Sequence, residues 1–395
     1  MNKNAIGLGI VGLGRAFTLM LPTFTQDDRI KLIAGSDPRE SARAMFRKDF
    51  DAKAYSTIDE LCADPNVEVV YIASPHQFHA EHVRIAAAAG KHILVEKPLA
   101  IDLDDCTAIV DAIDASSVSL IVGHSHSFNG PVLHARRLLQ SGEFGPVHML
   151  NSLNYTDFLY RPRRPEELDT RMGGGVVFSQ AAHQIDIVRL LGGGMVKSVR
   201  ACTGQWDADR PTESAYSALL TFESDAFASV TYSGYGHYDS DELVGGIGEM
   251  GNEKDPSTYG AARKKLAQIN SPTAEAVLKA AGNYGGENYQ FKPAAPTRYH
   301  QHFGHLVVSA AKADLRLTPE GLVIYDDERR YLVPTPKNPV PRAEVIDEVW
   351  NVVRHRATPT HDARWARATT EVCLAILKSA KTNKEITMQF QVQPS

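Results

Sequence analysis

Lys97 and His183 combine side chains that can move a proton with positions where chemistry is expected. Lys97 lies in Glu96-Lys97-Pro98, directly after the apolar run 92–95, and His183 lies in a helical pattern that follows three glycines. An unperturbed lysine is protonated at neutral pH, so Lys97 can act as a base only if burial or cationic neighbours lower its pKa. Otherwise Lys97 polarises a hydroxyl group and His183 accepts the proton, which is the assignment that we favour. Taken singly, Lys97 could be a surface partner of Glu96, and His183 could be a structural core residue.

The segment 12–17 has the residue types of a dinucleotide-binding loop. A β-branched run leads into Gly12-Leu13-Gly14, and a helical pattern starts at Arg15. The glycines give a tight turn and a bare backbone, which let a pyrophosphate approach the first N–H groups of the helix. Arg15, Ala16 and Phe17 complete the predicted cofactor loop, although Phe17 stands where Gly or Ala usually allows close packing of helix on strand.

Asp37 follows the second predicted strand, 23 residues after Gly14. A carboxylate at this position accepts hydrogen bonds from the ribose diol of NAD and repels the 2′-phosphate of NADP. Arg39 lies two residues further on and could partly offset that repulsion. We therefore predict NAD as the cofactor, with NADP as the alternative.

Between residues 6 and 124, short β-branched runs alternate with amphipathic stretches, which is typical of parallel strands joined by helices. The predicted strands are Ile6 to Val11, Ile30 to Ser36, Val67 to Ala73, His92 to Val95 and Leu120 to Val122. The predicted helices are Arg15 to Thr25, Ser41 to Asp49, His79 to Ala89 and Leu103 to Ala115. We infer an α/β protein with a doubly wound Rossmann domain over residues 1–125, whose ligand lies beyond the carboxyl ends of the strands.

Residues 126–395 are predicted to form a second, α+β domain for substrate binding and oligomerisation, with a large and mainly antiparallel sheet. Strands are predicted at 147–155, 196–206, 214–222 and 227–235, and helices at 131–141, 176–191, 343–354 and 363–378. The stretch 240–296 is rich in Gly, Asn and Lys and contains a predicted helix at 261–269. Because it is longer than ordinary loops, we interpret it as an insertion that could cover the active site.

The predicted helix 176–191 would present several polar groups to a cleft. Ser179, His183 and Asp186 lie on one face of it, at i, i+4 and i+7. Asp186 could orient the imidazole or contact the substrate. An interdomain ion pair is an equally good interpretation of that residue.

A group of arginines precedes this helix. Its members are Arg161, Arg163, Arg164 and Arg171. Guanidinium groups bind carboxylates bidentately, so the group predicts a substrate with carboxylates. We place Arg163 first, because prolines at 162 and 165 restrict its backbone. For at least two of the four, pairing with the acidic residues at 166, 167 and 169 is the alternative.

Three histidines at 300, 302 and 305 could in principle bind a metal. Hydride transfer to a nicotinamide needs no Lewis acid when a lysine is present, so we predict no metal site. His302 is predicted as a substrate contact instead.

The composition excludes several classes of partner. Hydrophobic residues make up 43% of the 395 residues, charged residues make up 23%, and the formal net charge is −5. Nucleic acid is therefore not expected as a partner. No apolar run approaches the roughly 20 residues that span a bilayer, and the N-terminus lacks a signal-peptide core. The four cysteines are scattered, so we expect buried, reduced thiols in a cytoplasmic protein without a membrane partner.

Several of these motifs together resemble the Gfo/Idh/MocA oxidoreductase family. They are Gly12-Leu13-Gly14, Ser74-Pro75 followed by His79, Glu96-Lys97-Pro98, and the glycine triplet that precedes His183 and Asp186. The resemblance implies NAD(P)-dependent oxidation, with the motif lysine and this histidine meeting at the nicotinamide. It also implies cofactor contacts from Ser74, Pro75, His76, His79, Glu96 and Lys97.

The chain departs from the family pattern at two positions on the predicted helix. Family members commonly have Asp four residues before the histidine and Gly two residues before it, whereas this chain has Ser179 and Ala181. Serine cannot act as a carboxylate. The usual Lys-Asp-His set is therefore reduced to Lys97 and His183.

Four further segments are similar to the phthalate-degradation branch of this family, at 160–169, 248–251, 299–304 and 313–316. The similarity implies oxidation of cis-4,5-dihydroxy-4,5-dihydrophthalate, a small aromatic dihydrodiol dicarboxylate, to 4,5-dihydroxyphthalate. It also implies a homodimer or homotetramer that pairs through the open face of the C-terminal sheet. A sugar or inositol dehydrogenase of the same family and a non-catalytic nucleotide-sensing regulator remain alternatives.

Overall fold

The structure is a computed structural model that describes residues 4–123, 125–269, 271–291 and 297–395. Within these residues the chain forms two β-sheets flanked by helices, one parallel and one mainly antiparallel. The predicted fold class is confirmed. The start of the chain, which was predicted to lack a signal-peptide core, and the end of the predicted insertion, 292–296, lie outside the described residues.

The first sheet is formed by the N-terminal part of the chain. Its strands are β1 Ile6–Val11, β2 Ile30–Ser36, β3 Lys53–Tyr55, β4 Val69–Ile72, β5 His92–Val95 and β6 Leu120–Val122. The helices between them are α1 Arg15–Gln26, α2 Glu40–Phe50, α3 Ile58–Cys62, α4 His79–Ala88 and α5 Leu103–Asp114. All neighbouring strands are parallel, in the order β3-β2-β1-β4-β5-β6. The strand order reverses between β1 and β4, which opens a crevice at their carboxyl ends.

The second sheet combines nine described strands. They are β7 Val147–Tyr155, β8 Val196–Gly204, β9 Ala215–Phe222, β10 Phe227–Ser233, β11 His305–Ala310, β12 Ala313–Thr318, β13 Gly321–Asp326, β14 Arg330–Pro334 and β15 Ile386–Thr387. Their order is β14-β13-β12-β11-β7-β10-β9-β8-β15. Only β7 and β10 pair in parallel among these strands. Strands β3 and β11 to β15 and helix α3 were not predicted from the sequence.

The helices after residue 126 are α6 Gly130–Gln140, α7 Ala182–Leu191, α8 Ala261–Leu266, α9 Pro272–Ala281, α10 Ala343–His355 and α11 Ala363–Thr382. The predicted helix 176–191 begins as a π-helical turn, Val177–Ala181, and continues as α7. Helix α9 was not predicted. Single-turn 3-10 segments connect several elements, at His76–Phe78, His126–Phe128, Phe158–Tyr160, Pro165–Leu168, Thr170–Met172, Ser240–Val244 and Pro256–Thr258.

Helix α10 packs on the first sheet although it lies near the end of the chain. Its apolar residues Val345, Ile346 and Val349 share a buried core with Ile6 and Leu8 of β1. The predicted boundary at residue 125 falls between the two sheets. The core of the first sheet, however, also includes residues from the second half of the chain.

The predicted insertion also reaches the first sheet. Tyr284 is fully buried, its ring centroid lies 5.1 Å from that of Phe17, and its hydroxyl group donates to Asp49 at 2.8 Å. Edge-to-face contacts and a satisfied hydroxyl group favour burial of a tyrosine. The segment after α9 is thereby fixed against helices α1 and α2.

Two predictions about the surface can be compared with the structure. Cys62, Cys106 and Cys373 are buried free thiols, but Cys202 is exposed, so burial was wrongly predicted for Cys202. Its position on β8 alternates with buried residues, which turns its side chain outward. Within the described residues, no helix is long and apolar enough to cross a membrane.

Candidate active site

The loop between β1 and α1 has the geometry of a dinucleotide cradle. Gly12 has φ +93°, and a Cβ atom there would lie 2.7 Å from the Ala73 carbonyl oxygen and from the Ser74 nitrogen. A Cβ atom on Gly14, by contrast, would meet nothing within 4 Å. The loop therefore passes closely under the end of β4 and leaves open space at the N-terminus of α1, which fits a pyrophosphate.

Asp37 and Arg39 form one unit at the end of β2. The Asp37 carboxylate accepts a hydrogen bond from the Leu13 N–H at 2.9 Å and pairs with Arg39 Nε at 2.9 Å. Arg39 also donates to the Leu13 carbonyl oxygen at 2.8 Å. Since the two charges offset each other, cofactor choice at this position depends on both residues, and their ribose contact remains a prediction.

Phe17 belongs to the protein core. Its side chain is fully buried between Phe46 and Tyr284. The prediction of a cofactor contact from this side chain is therefore corrected, because the aromatic ring occupies the face of α1 that packs on α2. Arg15 is exposed and Ala16 is partly exposed at the loop, as a cofactor contact requires.

His79 and His76 join the loops around the crevice. His79 is buried, with Nδ1 3.1 Å from the Pro98 carbonyl oxygen and Nε2 3.0 Å from the Ser74 carbonyl oxygen. These contacts connect the loop after β4, which contains Ser74 and the exposed Pro75, with the loop after β5. His76 Nε2 lies 2.9 Å from the Met172 carbonyl oxygen and so contacts the second half of the chain. Both histidines position the crevice walls.

Lys97 reaches the helix that carries His183. Its Nζ donates to the carbonyl oxygen of Ser179 at 2.7 Å, while the Ser179 hydroxyl group donates to the Gly175 carbonyl oxygen. Ser179 lies four residues before His183, so Lys97 meets the same face one turn earlier. Burial lowers the pKa of Lys97, and the nearby carboxylates of Glu96 and Glu249 partly oppose that change. Burial therefore favours the neutral form of Lys97, which is the form that can accept a proton.

The π-helical turn that offers the Ser179 carbonyl depends on a buried carboxylate. Glu213 accepts a hydrogen bond from the Val177 N–H at 3.1 Å and from Thr170. Gly175 has φ +85°, and a Cβ atom there would lie 2.0 Å from Glu213 Oε1. The glycine triplet before His183 therefore makes room for Glu213, which was not predicted as a site residue from the sequence.

Two aromatic rings from distant parts of the chain pack against the His183 imidazole. The His126 ring lies 4.8 Å from it in an edge-on arrangement, and the Phe303 ring lies at 5.2 Å. Asn129 donates to His126 Nδ1 at 2.9 Å, which leaves the proton on His126 Nε2. That nitrogen donates to Glu249 Oε1 at 3.1 Å.

Asp186 is part of the core beneath this site. One carboxylate oxygen accepts a hydrogen bond from the Ser127 hydroxyl group at 2.5 Å, and the other accepts one from the Trp365 indole at 2.5 Å. Because the side chain is buried and both oxygens are engaged by the protein, the substrate contact predicted for Asp186 is replaced by a structural role.

The four arginines have different environments. Arg163 folds back onto Phe158, with its guanidinium carbon 3.5 Å from the ring centroid and Nη2 donating to the Phe158 carbonyl oxygen at 2.6 Å. Burial lowers its pKa to about 10. Arg164 pairs with Glu167, and Arg171 is 89% exposed and paired with Asp169.

Arg161 is the member of this group that faces the cleft. Its side chain is 44% exposed, and Nε pairs with Asp157 at 3.1 Å. Within the described residues, its terminal nitrogens make no hydrogen bond, and its charge interacts with those of Glu249 and Arg15. We therefore consider Arg161, in place of Arg163, as the first candidate for binding a substrate carboxylate.

Both ring nitrogens of His302 form hydrogen bonds with the backbone. Its Nε2 lies 2.9 Å from the Ile247 carbonyl oxygen, and Nδ1 accepts from the Gly304 N–H at 3.1 Å. The predicted substrate contact is corrected, because both ring nitrogens are engaged. His300 contacts the Thr335 carbonyl oxygen at 3.0 Å. In the described part of the chain, no three side chains of His, Cys, Asp or Glu are grouped to hold a metal.

Comparison with known sequences agrees with this arrangement. Residues 6–124 match the model of an oxidoreductase family with an NAD-binding Rossmann fold, and residues 132–250 match the GFO/IDH/MocA C-terminal domain. A dehydrogenase from Comamonas testosteroni, "1-carboxy-3-chloro-3,4-dihydroxycyclo hexa-1,5-diene dehydrogenase", is 45% identical over 95% of this chain and 94% of its own length.

Two solved structures show the same architecture. A putative dehydrogenase from Bordetella bronchiseptica RB50 superposes with a TM-score of 0.92 at 41% identity, covering 97% of this chain and all of the other. The WlbA dehydrogenase from Bordetella pertussis, in complex with NADH and UDP-GlcNAcA, has a TM-score of 0.66 at 20% identity, covering 98% of this chain and 99% of the other, and shares the fold. The chain belongs to the Gfo/Idh/MocA oxidoreductase family and is a nicotinamide-dependent oxidoreductase with an NAD-binding Rossmann domain.

Proposed function

We propose that this protein uses NAD to oxidise a carboxylated cis-cyclohexadiene diol to the corresponding catechol. One observation carries the proposal: the chain is 45% identical, over nearly its full length, to a relative named for a carboxylated dihydroxycyclohexadiene. The site supports it, because a buried lysine contacts the helical segment that leads to His183, and the partly exposed guanidinium group of Arg161 lies near Glu249.

The protein residues supply the proton transfer of this reaction. A nicotinamide cofactor held at the loop 12–17 would supply the acceptor for the hydride that leaves the carbinol carbon. Lys97, whose pKa is lowered by burial, accepts the hydroxyl proton, while His183 holds the same hydroxyl group from the next turn. This assignment reverses the order that we favoured from the sequence. The hydroxy-dienone product tautomerises to a catechol, and the gain of aromaticity favours oxidation.

We propose cis-4,5-dihydroxy-4,5-dihydrophthalate as the substrate, with its carboxylates at Arg161. The charges of Arg15 and Arg161 act on each other, so the two guanidinium groups lie near one another and repel. An anion between the two guanidinium groups would remove this repulsion. Adjacent carboxylates supply such an anion, whereas a neutral sugar or inositol does not.

We also propose a cytoplasmic homodimer or homotetramer that pairs through the open face of the second sheet. Leu219, Phe227 and Leu332 are each more than 40% exposed on its strands. Exposed apolar side chains on one sheet face suit a subunit contact. Light scattering coupled to size-exclusion chromatography should give twice or four times the monomer mass, and a monomer at micromolar concentration would exclude this contact.

Substrate profiling tests the proposed function directly. NADH formation is measured with the phthalate cis-dihydrodiol, a monocarboxylated cis-dihydrodiol, unsubstituted benzene cis-dihydrodiol, myo-inositol and aldoses. The carboxylated diols should give the highest kcat/KM. Preference for inositol or aldoses would favour a sugar or inositol dehydrogenase, and NAD binding without turnover of any substrate would favour the regulator.

Arginine substitutions test the assignment of the carboxylates. Arg161→Ala should raise KM for a carboxylated diol about 100-fold and change KM for benzene cis-dihydrodiol much less, because only the former loses an ionic partner. Arg171→Ala is the matched control, since its side chain is exposed and pairs with Asp169. Equal responses of Arg161→Ala on the two substrates would show that this residue does not bind the carboxylate.

A further inference from the structure

The turn Gly248-Glu249-Met250-Gly251 presents a carboxylate to the cleft at a fixed position. The Gly251 N–H donates to the Gly248 carbonyl oxygen at 2.8 Å, and Gly251 adopts φ +79°. The Glu249 carbonyl oxygen accepts a hydrogen bond from the His302 N–H at 3.1 Å. The backbone of Glu249 is thus held on both sides, and the turn determines where its side chain points.

The Glu249 side chain has one engaged oxygen and one open oxygen. Oε1 accepts the hydrogen bond from His126 Nε2 at 3.1 Å. Over the described residues, Oε2 makes no hydrogen bond, and the side chain is 36% exposed. Burial would raise the pKa of Glu249, but the hydrogen bond from His126 and the positive charge of Arg161 lower it below its usual value. Glu249 is therefore a carboxylate at neutral pH.

Glu249 lies close to the reacting groups and to the arginine. Its hydrogen-bond partner His126 packs against the His183 ring at 4.8 Å. The charge of Glu249 acts on both Lys97 and Arg161. A ligand that contacts His183 and Arg161 therefore lies within reach of the open oxygen of Glu249.

The chemistry of that oxygen restricts what it can bind. A carboxylate oxygen accepts hydrogen bonds and repels the carboxylates of a substrate. A substrate bound at Arg161 by its carboxylate has two hydroxyl groups at the far side of the ring. One of these faces Lys97 and His183, and its neighbour needs an acceptor.

We propose that Glu249 Oε2 accepts a hydrogen bond from the hydroxyl group that is not oxidised, so that the enzyme selects vicinal diols. This inference rests on the proposed function. It assigns Glu249 as a substrate-binding residue, and it explains why a carboxylate lies beside His126 and near Arg161.

The first test compares two substrates in two variants. Glu249→Gln keeps the size of the side chain but removes its charge. For a carboxylated cis-dihydrodiol, KM should rise about 10- to 100-fold, the range expected when a hydrogen bond to a charged group is lost, whereas KM for the same ring with a single hydroxyl group should stay within about 2-fold. Glu253→Gln, an exposed carboxylate in the same insertion, should behave like the unmodified enzyme.

The second test measures binding without turnover. Calorimetry of the enzyme–NADH complex with 3,4-dihydroxybenzoate and 3-hydroxybenzoate should show tighter binding of the dihydroxy compound, and Glu249→Gln should abolish the difference. If Glu249→Gln weakens both compounds equally, or neither, the assignment of Glu249 is wrong. If the unmodified enzyme discriminates between the two compounds but oxidises no dihydrodiol, the proposed function fails and the diol contact stands. NADH affinity, measured by fluorescence, should be the same in all variants, and a matching loss of NADH affinity would overturn the assignment.

Discussion

The two walls of the cleft use opposite physical means. The reaction wall, formed by Lys97, Ser179 and His183, holds a cationic side chain against a neutral carbonyl oxygen and lowers the pKa of Lys97 by burial. The recognition wall, formed by His126, Arg161 and Glu249, places charges next to one another, with Arg161 and Glu249 partly exposed. Burial favours the neutral form of a lysine, which can accept a proton, whereas paired charges at the rim stay ionised and select the ligand.

The difference follows from the elements that form each wall. The reaction wall comes from the end of β5 and from the π-helical turn before α7, both of which are packed on the core. The recognition wall comes from a 3-10 segment, an irregular segment and a tight turn, and a hydrogen bond joins His126 of the first to Glu249 of the last. Regular elements thus place the acid–base groups, and loops place the groups that choose the substrate.

The largest effect should come from removing the base of the reaction wall. Lys97→Met keeps the apolar stem but removes the amine, so kcat should fall about 100- to 10,000-fold with NADH affinity unchanged. Steady-state kinetics and NADH fluorescence measure the two quantities. Lys312→Met, on the exposed turn between β11 and β12, is the control. Near-normal turnover of Lys97→Met would show that the reaction wall does not supply the base.

A carboxylate introduced beside Lys97 should give the reaction wall the paired charges that the recognition wall has. Ser179→Asp places a negative charge beside Lys97 and should raise the pKa of the lysine by about 1 or more. Because the neutral amine is the active form, kcat/KM rises with pH through this pKa, and the rising limb should move to higher pH. At a fixed pH below the limb, kcat/KM should fall by about 10-fold if the lysine pKa rises by about 1.

Ser179→Ala provides the matched control for that change in the pH profile. It removes the hydroxyl group but keeps the backbone carbonyl that accepts from Lys97, so the limb should stay in place. If Ser179→Asp and Ser179→Ala give the same pH profile, Lys97 is not the titrating group, and His183 becomes the candidate base.

The smallest effect is expected far from both walls, at the ribose end of the cofactor site. Asp37→Ala removes the carboxylate that pairs with Arg39 and leaves that guanidinium group available to a 2′-phosphate. The ratio of kcat/KM for NAD to that for NADP should therefore fall by roughly 10-fold, through a lower KM for NADP. Initial rates with both cofactors measure the ratio. A higher rate of the unmodified enzyme with NADP would mean that Arg39 dominates the site.

The elements of the first sheet could be predicted closely, because strand and helix periodicities alternate there and loops are short. The strands β11 to β14 were missed, although 305–334 alternates buried and exposed residues with turns between them, which is the signal of a hairpin series. The π-helical turn was not predicted, since such turns are rare and 176–191 was interpreted as one α-helix.

The candidate site could be predicted only where motifs fix it. Glu96-Lys97-Pro98 and the helix of His183 indicated the reaction wall, and their meeting through the Ser179 carbonyl needed the fold. The His126–Glu249 pair joins residues 123 positions apart, which no local pattern reveals. Which arginine binds a carboxylate stays a prediction, and tertiary contacts change the order of preference, because Arg163 folds onto Phe158 while the charge of Arg161 acts on Glu249.

The burial of Tyr284 between Phe17 and Phe50 has a consequence for engineering. The insertion that carries the substrate-binding turn is fastened to the same helix that begins at the cofactor loop. A cofactor loop transplanted from another family member would change the surface of α1 against which Tyr284 packs. It would thereby weaken the attachment of the insertion to the first sheet. Redesign of cofactor preference in this enzyme should therefore keep Phe17 and confine changes to the end of β2, so that substrate selectivity is inherited unaltered.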